Sequence, residues 1–76
     1  MNKAFVLINA DLGSEAELIA ELRKLEGVIG AFIVYGVYDV LVEIEAESDQ
    51  KAKELILSKI RTLKHIRSTL TLTVMP

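Results

Sequence analysis

Apolar positions along this chain fall into two alternating periods, one suited to strands and one to helices. Residues 3 to 9 (Lys3-Ala4-Phe5-Val6-Leu7-Ile8-Asn9) form a β-branched and aromatic run closed by Asp11 and Gly13, the signature of a strand buried on both faces. Ser14-Glu15-Ala16-Glu17 then has capping-box spacing, in which a serine hydroxyl and a glutamate carboxylate each satisfy a free amide at a helix start. Behind it Leu18, Ile19, Leu22 and Leu25 recur on one helical face, and Gly27 stands where a left-handed C-terminal cap is wanted.

The second half repeats the alternation. Residues 28 to 35 are apolar and end at Gly36, and residues 39 to 46 set Val40, Val42 and Ile44 against Leu41, Glu43 and Glu45. So short a connection at Gly36 predicts an antiparallel hairpin. Ser48 and Asp49 cap a second helix whose stripe is Ala52, Leu55, Ile56, Ile60 and Leu63, and residues 66 to 75 alternate Ser68, Leu70, Leu72 and Val74 against Arg67, Thr69, Thr71 and Thr73. The order is β-α-β-β-α-β. Right-handed crossovers place both helices on one face of a four-stranded antiparallel sheet with the first and third strands central, an α+β, ferredoxin-like, split βαβ fold.

Two helices cover one face of such a sheet, and the other face of a monomer should be polar. Here it is only partly so. The first strand offers apolar residues on both sides, and the second contributes Phe32 and Val34 or Ala31, Ile33 and Tyr35. A second copy is the expected cover, because two-fold pairing of identical surfaces is the commonest oligomeric solution.

Composition sharpens this expectation. With 76 residues the chain is one domain, 1–76, and so small a core is marginal without disulfides, a metal or a partner subunit. There is no cysteine and one histidine, which excludes disulfides and thiolate metal sites; no metal or cofactor is expected. A hydrophobic content of 51% leaves association as the remaining reinforcement. The net charge of −2 provides no field for a polyanion, so direct DNA binding is not expected. No apolar run approaches the roughly 20 residues of a membrane span, and Met1-Asn2-Lys3 leads directly into a strand, so the expected location is cytoplasmic.

Catalysis finds little support. No serine has an activating base that spacing identifies, and Glu43 and Glu45 are explained by strand alternation. His65 reads as a loop or helix-end residue interacting with C-terminal carbonyls, and Lys59, Arg61, Lys64 and Arg67 as cations favoured near a helix C-terminus. The first loop, Asn9-Ala10-Asp11-Leu12-Gly13, has no arginine, so the likeness to acylphosphatases stops at element order. The chain is expected not to be an enzyme.

Within the β-α-β-β-α-β frame, Gly36-Val37-Tyr38-Asp39-Val40-Leu41 at the hairpin and Ser68-Thr69-Leu70-Thr71-Leu72-Thr73-Val74-Met75 at the end resemble the effector-binding domain (RAM domain) of the Lrp/AsnC feast/famine regulators. The family's turn reads glycine, any residue, aromatic, aspartate, and its last strand carries a Thr-x-Thr pair. Family members active in transcription carry a helix-turn-helix ahead of this domain, so the chain resembles a stand-alone effector domain. The resemblance implies a dimeric α/β-barrel arrangement with sheets face to face, dimers joined into a ring, and an amino-acid-like effector held between dimers. It also implies mixed assembly with full-length regulators.

Carried over position by position, Gly36 would admit close backbone approach of the effector and Tyr38 would pack on it or hydrogen-bond to it. Asp39 would meet its α-amino group by a charge-assisted bond, Thr69 and Thr71 would supply hydroxyls, and the amides of residues 36 to 38 would meet its carboxylate. Each position also has a plainer role: Gly36 in the turn, Asp39 as a turn cap, the threonines as strand formers. Two other readings stand beside this one. Asp11-Leu12-Gly13 weakly resembles the first loop of ACT-like regulatory subunits of metabolic enzymes, which would put the ligand near residues 10 to 14; a small dimeric α/β-barrel enzyme would need a deep polar cavity between sheets.

Overall fold

A computed structural model of the chain describes residues 2–75, so Met1 and Pro76, the ends of the expected domain, lie outside it. Strand β1 (Asn2–Ala10) is followed by helix α1 (Glu15–Arg23), strands β2 (Val28–Ile33) and β3 (Val40–Ala46), helix α2 (Asp49–Leu55) running on into a π-helical turn (Ile56–Ile60), and strand β4 (Ile66–Thr73). The sheet order is β2-β3-β1-β4, and every pairing is antiparallel. The expected architecture is the observed one, with β1 and β3 central.

Strand alternation assigns the faces. Ala4, Val6, Ile8 and Ala10 of β1 and Val40, Val42 and Ile44 of β3 are buried against Leu18, Ile19, Leu22, Ile56 and Ile60 of the helices. Their neighbours Phe5, Leu7 and Leu41 point the other way and are only half-buried. Register adds Phe32, opposite Leu41, and Leu70 and Leu72, opposite Leu7 and Phe5, to that second face. Phe32, Leu70 and Leu72 keep 48, 44 and 48% of their surface exposed. The face without helices is therefore apolar over all four strands, interrupted by an ion pair between Lys3 and Glu43 at 3.2 Å. That pair absorbs one of the two glutamates of β3.

Three local details depart from the sequence reading. The capping box at α1 does not form: the Ser14 hydroxyl donates to the Asp11 carbonyl at 2.6 Å, Ser14 has ψ 6 rather than extended backbone, and the Glu17 carboxylate faces His65. Ser48, with extended backbone, does cap α2, accepting from the Lys51 amide at 3.1 Å. The hairpin is longer than a turn at Gly36: β2 ends at Ile33, the Val34 amide donates to the Asp39 carbonyl at 2.8 Å, and residues 35–38 form a four-residue tip. Gly27 has φ +96 but lies beyond the cap residue Lys24; its carbonyl accepts from Glu45, and a side chain there would meet Leu55 Cδ2 at 2.9 Å. It serves the α1-to-β2 turn and its contact with α2.

The π-helical turn was not anticipated. Arg61 donates to the Ile56 carbonyl at 2.9 Å, five residues back. The widened turn inserts one residue into the helical period. Ala52, Ile56 and Ile60 are all buried along one face, and Leu63 packs on the core.

Candidate functional site

One end of the sheet gathers the β1–α1 loop, the hairpin tip and the start of β4. Asn9 is paired with Ser68, whereas the next residue, Ala10, is paired with Ile66. Arg67 is thus the extra residue of a β-bulge, a device that bends a strand and turns one side chain out of its regular alternation. Asn9 Nδ2 donates to Ser68 Oγ at 3.1 Å across this point. Asp39, one step beyond the Ile8–Val40 pair, accepts from the Ala10 amide through Oδ2 at 3.1 Å, and its own amide donates to the Ile8 carbonyl at 2.9 Å.

Asn9, Ala10, Asp39, Arg67 and Ser68 line a cavity of about 400 Å³. Its walls carry an acid, a base, a carboxamide and a hydroxyl. Neither Asp39 nor Arg67 enters an ion pair among the described residues. One Asp39 oxygen is engaged by Ala10 and the other is free to accept, so the cavity presents one anionic and one cationic group that do not neutralise each other.

Of the residues expected from sequence, Asp39 belongs to this cavity. Tyr38 is half-buried and does not line it, and Gly36 forms the exposed tip with Tyr35 and Val37. Gly36 adopts φ +143, a backbone state that disfavours side chains, and nothing lies within 4 Å of where its Cβ would be. Thr69 and Thr71 lie elsewhere in a single chain. They stand opposite Ile8 and Val6, and so on the helix side, where they line a separate groove of about 400 Å³ with Lys53, Ile56, Leu57 and Arg61. The alternation that places Ser68 and Leu70 on one face necessarily places Thr69 and Thr71 on the other.

Asn9, Ser68 and Arg67 were not singled out from sequence. Asn9 carried a signal, as the polar residue closing an apolar strand. Arg67 carried none, because a bulge leaves no mark in the period and the residue sorts with the neighbouring helix-end cations. His65 is a loop residue, at φ +74, but it faces side chains rather than helix carbonyls: Nδ1 lies 3.5 Å from Asp11 Oδ2 and Nε2 lies 3.4 Å from Glu17 Oε2. Its carbonyl accepts from the Asp11 amide at 2.8 Å, and the Gly13 amide donates to Glu15. The backbone of Asp11 and Gly13 is thus engaged in internal hydrogen bonds, while Leu12 is exposed. Among the described residues, no three His, Asp or Glu side chains are grouped to hold a metal ion, and no helix is long and apolar enough to cross a membrane.

Comparison with known proteins identifies the family. A family model described as the Lrp/AsnC ligand binding domain matches residues 3–76. An uncharacterised helix-turn-helix-type transcriptional regulator of Pyrococcus furiosus is 31% identical over 72 residues, covering 91% of this chain and 48% of the regulator. The chain spans about half the length of the curated relatives it matches. Among solved structures, a hypothetical protein from Pyrococcus horikoshii superposes with a TM-score of 0.93 at 32% identity, over 100% of this chain and 92% of that one. AsnC of E. coli does so with 0.91 at 25%, over 99% and 51%. A transcriptional regulator of Neisseria meningitidis, solved as a complex with L-Met, shares the fold at 0.84 and 17%, over 99% and 50%. The ACT-like and enzymatic alternatives give way to this assignment. From its hairpin motif to its sheet order, the chain belongs to the Lrp/AsnC ligand-binding domain family, the regulatory rather than catalytic use of this fold.

Proposed function

We propose that the chain binds a small amino-acid-like effector at a seam between subunits, with Asp39 as the acceptor for its α-amino group, and that this binding regulates transcription regulators of the same family. The observation that carries the reading is the cavity at Asp39, which opens at the end of a sheet face too apolar to stay in water. Two copies meeting through that face form the dimer. The exposed tip Tyr35-Gly36-Val37 then projects from the end of each sheet and is available to join dimers into a ring. In such an assembly Thr69 and Thr71, remote from Asp39 within one chain, would reach an effector only from a neighbouring subunit.

An effector held between subunits changes assembly through its different affinity for alternative arrangements. A regulator of Neisseria meningitidis that contains this fold was solved as a complex with L-Met, which supports an amino-acid-like effector. Calorimetric titration of the chain with each of the twenty amino acids tests the reading. Saturable binding of at least one, lost in Asp39→Asn, is the expected result; no binding by any would refute it.

A further inference from the structure

The amide groups of the hairpin tip are the carboxylate donors that the resemblance suggests. Tyr35 and Val37 are almost wholly exposed, and the space around Gly36 is open, so the tip encloses nothing in a single chain. Arg67, by contrast, shares the cavity wall with Asp39. It is the bulged residue at the Asn9/Ala10 register shift, and it has no ion-pair partner among the described residues. On the other edge of β1, toward β3, the Ala10 amide holds Asp39 Oδ2. Both charges border a space of about 400 Å³, ample for a small zwitterion.

We infer that Arg67 is the carboxylate anchor of the effector site, so that Asp39 and Arg67 of one chain read the ammonium and carboxylate of an α-amino acid together. This rests on the effector reading above and adds to it a residue and a selection rule. Guanidinium binds carboxylate through paired N–H donors, a geometry that backbone amides of an open loop do not hold ready. The site then discriminates against ligands lacking either charge. Amines derived from the effector by loss of the carboxylate, and amino-acid amides, leave Arg67 unmatched; 2-oxo acids leave Asp39 unmatched.

The experiment is calorimetric titration of wild type, Arg67→Ala and Arg67→Lys with the tightest-binding amino acid of the twenty, its decarboxylated amine and its amide. Wild type is expected to bind the amino acid roughly 10 to 100 times more tightly than the amine, the span for loss of a charge-assisted bond. Arg67→Ala should bring the two ligands to similar affinity, and Arg67→Lys should restore part of the preference. A purely structural role for Arg67 would weaken both ligands equally and leave their ratio unchanged. An unchanged ratio in Arg67→Ala, or wild-type binding of the amine as tight as that of the amino acid, overturns the assignment while leaving the effector reading intact. Failure of all twenty amino acids to bind wild type overturns both.

Discussion

At the scale of single residues, Asp39 joins two jobs that a substitution can separate. Its carboxylate ties the hairpin tip to β1 through the Ala10 amide, and its charge faces the cavity. Asparagine keeps an oxygen for Ala10 but loses the charge; alanine loses both. Denaturant unfolding should therefore find Asp39→Asn within about 0.5 kcal/mol of wild type and Asp39→Ala lower by about 1–3 kcal/mol, while both lose effector binding. The glycines separate in a similar way. Gly27→Ala combines a positive φ with a 2.9 Å approach to Leu55, whereas Gly36→Ala meets only the backbone penalty. Thermal melting should show Gly27→Ala as the more damaging, by about 2 kcal/mol or more against about 1 for Gly36→Ala.

At the scale of elements, the two helices begin differently although their sequences promise similar starts. Ser48 caps α2 by accepting from Lys51, but the Ser14 hydroxyl turns back to Asp11 and stabilises the loop rather than the helix. Ser48→Ala should cost about 1 kcal/mol in urea unfolding, with increased amide exchange confined to the first turn of α2. The reason sequence patterns read α2 well and misread the start of α1 is local. A capping box needs the serine backbone extended, and the positive-φ turn at Gly13 delivers Ser14 in another conformation. The hairpin shows the same limit, since Asp39 is drawn toward β1 by two hydrogen bonds, to Ile8 and from Ala10, that no pattern within residues 28 to 46 contains.

For the molecule as a whole, the dominant feature is a sheet with one sealed face and one bare one. Phe5, Leu7, Phe32, Leu41, Leu70 and Leu72 form a surface that water disfavours at about 25 cal/mol per Å². Leu7 and Leu70 are direct cross-strand partners at its centre. The double substitution Leu7→Lys with Leu70→Glu keeps them compatible within one chain and places two charges in any face-to-face contact. Light scattering at micromolar concentration should report a multiple of the chain mass for wild type and the single-chain mass for the variant. A wild-type protein that remains monomeric there would contradict the proposed dimer.

What the sequence alone determined is whatever depends on near neighbours along the chain. Strand and helix periods specified six elements, their order and, through handed crossovers, the sheet topology; alternation also marked the second face as apolar before any contact was known. Gly36, Tyr38 and Asp39 stand out as candidates because their motif is contiguous, and of these Asp39 lines the cavity. Only the tertiary structure decided which distant residues share a site. The bulge that turns out Arg67 arises from a one-residue mismatch between β1 and β4, nearly sixty positions apart, and sheet register separates Thr69 and Thr71 from Asp39. Period is a property of one segment, whereas register is an agreement between two, and a cavity is formed by the second.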